Sequence, residues 1–221
     1  MATDPGKYST KVPLSLKCSR CGEPNSPRIR LNETSFDWRC AACGFTHPSL
    51  FGLDVTIGVL LLEKSRHELL QEKDYPMAVV FPAMAFESEL SRLFGKWKEI
   101  ECIMPGTIFD REQCEGELRR FASVERKIEE VSRFLVQSGI DDFVRSKPEL
   151  EAYISSSFQS VRVGHLAEDF QRHLFWPRNG VLHWGDAKYS YEDAAKCFSI
   201  AQVGLRILRE MDAHRRVSLP S

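Results

Sequence analysis

The sequence predicts an all-α helical bundle with a small β-rich appendage at its N-terminal end. Three observations lead there. Four of the 7 cysteines form two CxxC pairs within the first 43 residues. From about Leu53 onward, apolar residues recur at spacings of three and four rather than in alternation. In that stretch no Asn-Gly turn joins two strand-like segments. At 221 residues, 43% hydrophobic and 28% charged, with 14 Phe and 4 Trp, the composition is globular and sufficient to bury a core. With 30 Lys+Arg against 31 Asp+Glu, the formal charge of -1 sets up no global field for a polyanion, so any nucleic-acid site must be local.

Compartment governs how the cysteines are read. Met1 to Lys17 is polar, holds Lys7, Lys11 and Lys17, and lacks an apolar stretch ahead of a cleavage site, so no secretory signal is expected. The longest apolar run, Ile57 to Leu62, falls far short of the ~20 residues of a membrane helix, so no membrane association is expected. A cytoplasmic location follows as an expectation. There thiols stay reduced, and a spaced set more often holds a metal than a disulfide.

Cys18-Ser-Arg-Cys21 and Cys40-Ala-Ala-Cys43 enclose Gly22 to Arg39, the spacing of a zinc site built from two CxxC pairs. Each pair makes a tight knuckle that presents two thiolates, and two knuckles close a tetrahedral, structural Zn²⁺ site. Gly22 and Gly44 directly follow the second cysteines, where the turn favours a positive φ. The segment from about residue 14 to 47 thus resembles a zinc ribbon, with strands expected near Arg28 to Leu31 and Ser35 to Arg39. A CxxC redox pair or two disulfides are the competing readings, but the βαβ pattern of thioredoxin-like motifs is missing. Residues 1–48 hold seven basic groups against four acidic ones, an excess that four thiolates and one Zn²⁺ reduce. The ribbon is therefore read first as a structural clip. Arg28, Arg30, Arg39, Phe36 and Trp38 offer the alternative of a small stacking and phosphate-contacting surface. His47 is a poor spare ligand, and Cys102, Cys114 and Cys197, set in apolar neighbourhoods, read as buried small hydrophobes.

The expected organisation is a ribbon over residues 1–50, a connecting helix over 51–75, a helical bundle over 76–214 and a tail over 215–221. The connecting helix, residues 53–72, is closed by Asp74-Tyr75-Pro76. The next runs from about Pro76 to Trp97 with a kink at Pro82, directing Phe86, Leu90, Leu93, Phe94 and Trp97 inward. Asp110 is the expected N-cap of one long helix carrying Cys114, Leu118, Phe121, Ile128, Val131 and Leu135 and ending at Ser138-Gly139. A fourth spans about Pro148 to Leu174, with a break near Ser155 to Ser160. Ser190-Tyr-Glu-Asp193 forms a capping box for the last helix, where Ala194, Ala195, Phe198, Ala201, Leu205 and Leu208 repeat at three and four. Charge runs such as Glu125 to Glu130 read as solvated faces. Neither a G-x-x-x-x-G-K-[ST] nor a G-x-G-x-x-G phosphate loop is present, so ATP-driven chemistry is not supported.

One constellation carries chemistry. Trp176-Pro-Arg-Asn-Gly-Val-Leu-His-Trp-Gly185 precedes the last helix. Pro177 suits a first helical turn, so a short helix is expected to start there and stop near Gly185. Asn179 and His183 then share a face, while Arg178 lies about 140° round the helix from His183. A guanidinium binds phosphate in a forked geometry and stabilises developing charge. An imidazole moves the proton of an attacking 2'-OH or of a leaving 5'-oxygen, and no metal is needed. Trp176 or Trp184 is placed to stack a base.

Arg178-Asn179-xxx-His183 matches the Rx4-6H signature of the HEPN family, set before the last helix of an all-α bundle as in that family. The resemblance covers about residues 76 to 212, and Ala85-Phe-Glu-Ser-Glu-Leu90 looks like the family's early helix. It implies a metal-independent endoribonuclease of the kind found in antiviral defence, toxin modules and RNA processing, dimerising so that two motifs share one cleft. Arg178 and His183 would be catalytic and Asn179 supporting. RNA would be the substrate, with a 2',3'-cyclic phosphate as product, and an antitoxin or regulatory protein is a further partner the resemblance allows. Glu87 and Glu89, two apart, cannot both face a cleft. His165, His173 and His214 have no motif around them and read as structural or exposed. From other classes stand a non-catalytic RNA-, nucleotide- or protein-binding module, and a helical scaffold whose motif is packing alone.

Overall fold

Close approach of two helices sets the architecture. In the computed structural model, which describes residues 11–13, 16–18, 20–25, 28–30, 38–47, 56–103, 106, 108–157 and 160–218, helix α1 (Ile57–His67) lies against α2 (Tyr75–Ile103). Thr56 caps α1 by accepting the Val59 N–H through its hydroxyl. Gly58, which weakens the helical pattern in the sequence, makes the contact possible. A Cβ there would lie 2.8 Å from the Ala85 carbonyl oxygen of α2. The expected connecting helix is therefore laid along the bundle, with Leu60, Leu61 and Ser65 buried. It continues into a π turn, Glu68–Glu72, and stops at Lys73 in the left-handed region with φ 57°.

Pro82 sits buried inside α2. A proline lacks the N–H that would bond the carbonyl four residues back, which here is Ala78. The Ser65 hydroxyl, wholly buried on α1, donates to that carbonyl at 2.8 Å. The helix thus passes through Pro82 unbroken because its neighbour supplies the missing donor.

The long helix expected from Asp110 to Ser138 is two helices, α3 (Arg111–Arg119) and α4 (Val124–Val136). Asp110 caps α3 as expected, accepting the Gln113 N–H at 3.0 Å. Ser123 breaks the run by accepting the Arg126 N–H at 3.1 Å, the local competition with helix continuation that serine offers. The apolar stripe survives the break: Cys114, Leu118, Ile128, Val131 and Leu135 are all buried. Helix α5 (Ile140–Arg145), absent from the sequence reading, precedes α6 (Pro148–Ser157). The expected fourth helix is then interrupted, resuming at Leu166 as α7 (Leu166–Phe170). Asp169, 1% exposed, ties the intervening loop to α7 by accepting the Arg162 backbone N–H and its guanidinium, both at 2.8 Å.

A π turn (Gln171–Phe175) joins α7 to α8 (Trp176–Trp184), and α9 (Tyr191–Val217) follows with the expected Ser190–Asp193 capping box. Helix α9 packs on α2, where Gly204 receives the Phe86 ring. A Cβ at Gly204 would stand 2.5 Å from that ring. Phe86 in turn meets Phe170 with centroids 5.0 Å apart. At the far end of the pair, buried Asp212 accepts from the Trp97 indole at 2.8 Å and from Lys96 at 2.7 Å. The described chain is predominantly helical, in line with the predicted all-α bundle, and no described helix is long and apolar enough to cross a membrane.

The N-terminal segment pairs antiparallel in three places: β1 (Lys11–Pro13) with β4 (Arg28–Arg30), β2 (Leu16–Lys17) with β3 (Pro24–Asn25), and β5 (Trp38–Arg39) with β6 (Thr46–His47). Of the strands expected near residues 28 and 38, Arg28–Arg30 and Trp38–Arg39 are present, and the rest of both expected ranges lies outside the described residues. Phe36 and the side chains of Arg28, Arg30 and His47 lie outside the described residues.

Candidate functional sites: a four-cysteine cluster and the α8 motif

Two matching turns build the cysteine cluster. In the first, the Cys18 N–H bonds the Glu23 carbonyl at 2.9 Å and the Gly22 N–H bonds the Cys18 carbonyl at 2.8 Å. In the second, Cys40 to Phe45 and Gly44 to Cys40 repeat the pattern at 2.9 Å each. Gly22 and Gly44 close the turns with φ 77° and 68°, which explains a glycine at both positions. The four sulfurs come together within 4.8 Å of one another. Cys18 and Cys43 stand 3.6 Å apart, and Cys21 and Cys40 3.7 Å. Sulfurs at the corners of a tetrahedron with 2.3 Å metal bonds are separated by about 3.8 Å, whereas a disulfide needs about 2.05 Å. The spacing is that of a metal site, and all four cysteines are free.

Groups around the sulfurs act on them in opposite directions. Backbone N–H groups of Cys43 and Ala42, with the Asn25 amide, outweigh burial and draw the Cys40 thiol down to about 6. At Cys21 the Glu23 backbone lowers the pKa, but desolvation and the three neighbouring sulfurs together push it up to about 12. Asn25 also accepts the Ala41 N–H at 2.9 Å, bracing one knuckle against the other. Trp38 is buried with Cys18 and Cys40, so it is part of the small core and not a stacking platform. Arg20 lies over the Phe45 ring at 5.6 Å.

The α8 motif rests on a second proline. Pro177 leaves the His173 carbonyl without its usual donor, and the Cys197 thiol of α9 bonds it at 3.1 Å. Burial, with Asp193 adding to it, lifts Cys197 to about 12, so the thiol keeps its proton at neutral pH. The Tyr189 hydroxyl donates to the Pro177 carbonyl at 3.0 Å. Gly180 admits that ring, since a Cβ there would lie 2.6 Å from the Tyr189 oxygen. Gly185, φ 64°, ends the helix as expected.

Arg178 is half-buried, and Nη1 bonds the Asn179 side-chain oxygen at 3.2 Å. Its Nη2 stands 3.9 Å from Glu87 of α2, within electrostatic reach but beyond a hydrogen bond. The other Glu87 oxygen accepts from Lys127 of α4 at 3.0 Å. Arg178, Asn179, Glu87 and Lys127 thus form one cluster drawn from three helices. His183 is not part of it. One turn further along α8 it is exposed, and among the described residues no hydrogen bond or ion pair holds it. Trp176 and Trp184 flank the motif at 57% and 81% exposure, with Leu182 at 49%.

Of the two glutamates, Glu87 reaches the motif, while buried Glu89 is clasped by Arg92 at 2.7 and 3.0 Å within α2. Lys127 escaped the sequence reading because it sits in a charged run that reads as solvated, and nothing local marks its partner forty residues away. His165 faces Glu168, His173 is half-buried, and His214 packs edge-on to Phe143. Cys114 and Cys197 are buried as expected and Cys102 is half-buried.

Against known proteins, the chain stands on its own geometry. No family model matches it, and neither a curated protein nor a solved structure matches it significantly.

Proposed function

We propose that the protein is a metal-independent endoribonuclease of the HEPN type, joined to a structural zinc ribbon and working as a homodimer in a reducing, cytoplasmic setting. The observation that carries this reading is the pairing on one helix of an anchored cation with an exposed imidazole. Asn179 holds the half-buried Arg178 through Nη1, Glu87 lies 3.9 Å from Nη2, and His183 stands exposed about one turn on.

In this reading His183 takes the proton from a ribose 2'-OH as that oxygen attacks the adjacent phosphorus. The bond to the 5'-oxygen breaks, and that oxygen takes a proton from water, whose hydroxide is neutralised by the proton His183 has gained. Arg178 neutralises the charge gathered on the phosphoryl oxygens. The products are a 2',3'-cyclic phosphate and a free 5'-hydroxyl. In this reading a second copy brings its Arg178 to the His183 of the first, since the two diverge by about 140° around one helix, and exposed Leu182 and Trp184 supply the apolar area for it. The four thiolates suit Zn²⁺, a borderline-soft ion satisfied by four sulfurs, which would hold the N-terminal turns together. A role in defence or toxin-like RNA degradation, restrained by an antitoxin or regulatory protein, fits such an activity.

The second reading, a non-catalytic module binding RNA, a nucleotide or a protein, is favoured by one observation: no described residue orients His183. Incubating the protein and its His183→Ala variant with labelled RNAs in divalent-free buffer separates the two. Cleavage by the parent alone, leaving cyclic phosphate ends, is the expected outcome. Intact RNA with both proteins, each folded, selects the binding module.

A further inference from the structure

Two grooves open on the bundle beside the α8 cluster, and they adjoin. The smaller, about 350 Å³, has Asn179, Trp176, Gln171 and Phe121 in its walls. The larger, about 700 Å³, runs between α2 and α3 past Ser88, Gly95 and Phe109. Leu118, Arg119 and Lys127 line both, so one leads into the other across the last turn of α3. A trough therefore starts next to Arg178 and continues away from it.

Its lining is cationic on a chain whose net charge is -1. Arg92, Lys96, Arg111, Arg119 and Lys127 face it against Glu99 and Glu115. The carboxylates that fix Arg92 and Lys96 lie beneath them: Glu89 and Asp212 side chains are 5% and 9% exposed, the two cations 34% and 27%. Arg111 and Arg119, 84% and 80% exposed, flank Glu115 at 3.2 and 3.3 Å. Phe109, Phe121 and Trp176 add ring faces along the way. Cations tracking a backbone with aromatics between them are what a single strand of nucleic acid needs, since every base offers a face to stack and every linkage a charge.

We propose that this trough is the path of single-stranded RNA to one side of the scissile linkage, with Arg111 and Arg119 as phosphate contacts and the Trp176–Phe121 end receiving the nucleotide next to the cut. The proposal rests on the ribonuclease reading for its orientation but not for its chemistry of binding.

The test uses full-length His183→Ala protein, which cannot turn over its ligand in that reading, and fluorescence anisotropy with a labelled single-stranded dodecanucleotide RNA over a range of salt. Neutralising Arg111→Gln and Arg119→Gln together removes two phosphate contacts, so the slope of log K against log salt should fall by about 1.4, at roughly 0.7 per contact on a single strand. Glu115→Gln should tighten binding, and duplex RNA of the same sequence should bind less well than the single strand. On the catalytically intact background, the Arg111→Gln/Arg119→Gln protein should lose more of its cleavage efficiency on a dodecanucleotide than on a trinucleotide. Unchanged affinity and slope in a folded double variant overturn the trough. Equal or better binding of duplex RNA overturns its single-strand assignment. If the double variant fails to fold, Glu115→Gln decides alone, and binding that is not tightened overturns the proposal. RNA binding with these responses but no cleavage by the parent keeps the trough and removes the ribonuclease. Cleavage whose length dependence ignores the two arginines does the reverse.

Discussion

Single side chains on neighbouring helices do work that a helix cannot do for itself. Pro82 and Pro177 each leave a carbonyl without its helical donor, and Ser65 and Cys197 each deliver one from another helix. The serine is the stronger case because it is wholly buried and its hydroxyl is well placed at 2.8 Å. Ser65→Ala should destabilise the fold by about 1–3 kcal/mol, the usual cost of stranding a buried polar group, read as a lower denaturation midpoint with an unchanged slope. In the Pro82→Ala background the same substitution should cost less, since the restored N–H satisfies Ala78 from within the helix. Equal costs in both backgrounds would show that the Ser65–Ala78 bond does not substitute for the missing donor. The sequence marks Pro82 as a kink, yet it holds no local sign of Ser65, because the compensation crosses from one helix to the next. Gly58 and Gly204 mislead or go unnoticed for the same reason: what they admit, the Ala85 backbone and the Phe86 ring, is distant in sequence.

Elements were legible where their ends carry chemistry of their own. Ser190 and Asp193 announce α9, Asp110 announces α3, and Gly185 closes α8, each through bonds made within a few residues. The long helix from Asp110 failed at Ser123 because its apolar stripe keeps the same period on both sides of the break. A stripe reports which face is buried, not whether the backbone between is continuous. The cysteine turns were the most legible of all, since ligand spacing and the two glycines are both local. Their small core of Cys18, Trp38 and Cys40 is separate from the helical core. Removing the metal proposed there should therefore loosen the turns without melting the helices. Cys40→Ser, or chelation of the parent, should abolish bound zinc and shift Trp38 fluorescence to longer wavelength while the far-ultraviolet helical signal is retained. Zinc-free protein as isolated, or loss of the helical signal together with the metal, would contradict this.

At the scale of the whole molecule, the site residues divide between what one copy assembles and what it leaves open. Arg178, Asn179, Glu87 and Lys127 converge from three helices of one chain, whereas His183 stands apart in solvent between exposed Leu182 and Trp184. The motif and the 140° between its two side chains were visible in the sequence because they lie within ten residues, but the place of Lys127 beside them, contributed by another helix, was not. If the cleft is shared, an Arg178→Ala copy still brings His183 and a His183→Ala copy still brings Arg178. Mixing the two inactive proteins under conditions that exchange subunits should then restore cleavage, carried by the mixed dimers. Activity should also fall on dilution below the dimer dissociation constant. A site complete within one chain behaves otherwise: each variant destroys its own copy, and no mixture recovers activity. Complementation thus reads out directly whether the 140° between the two side chains is bridged by a second copy or by the reach of one arginine.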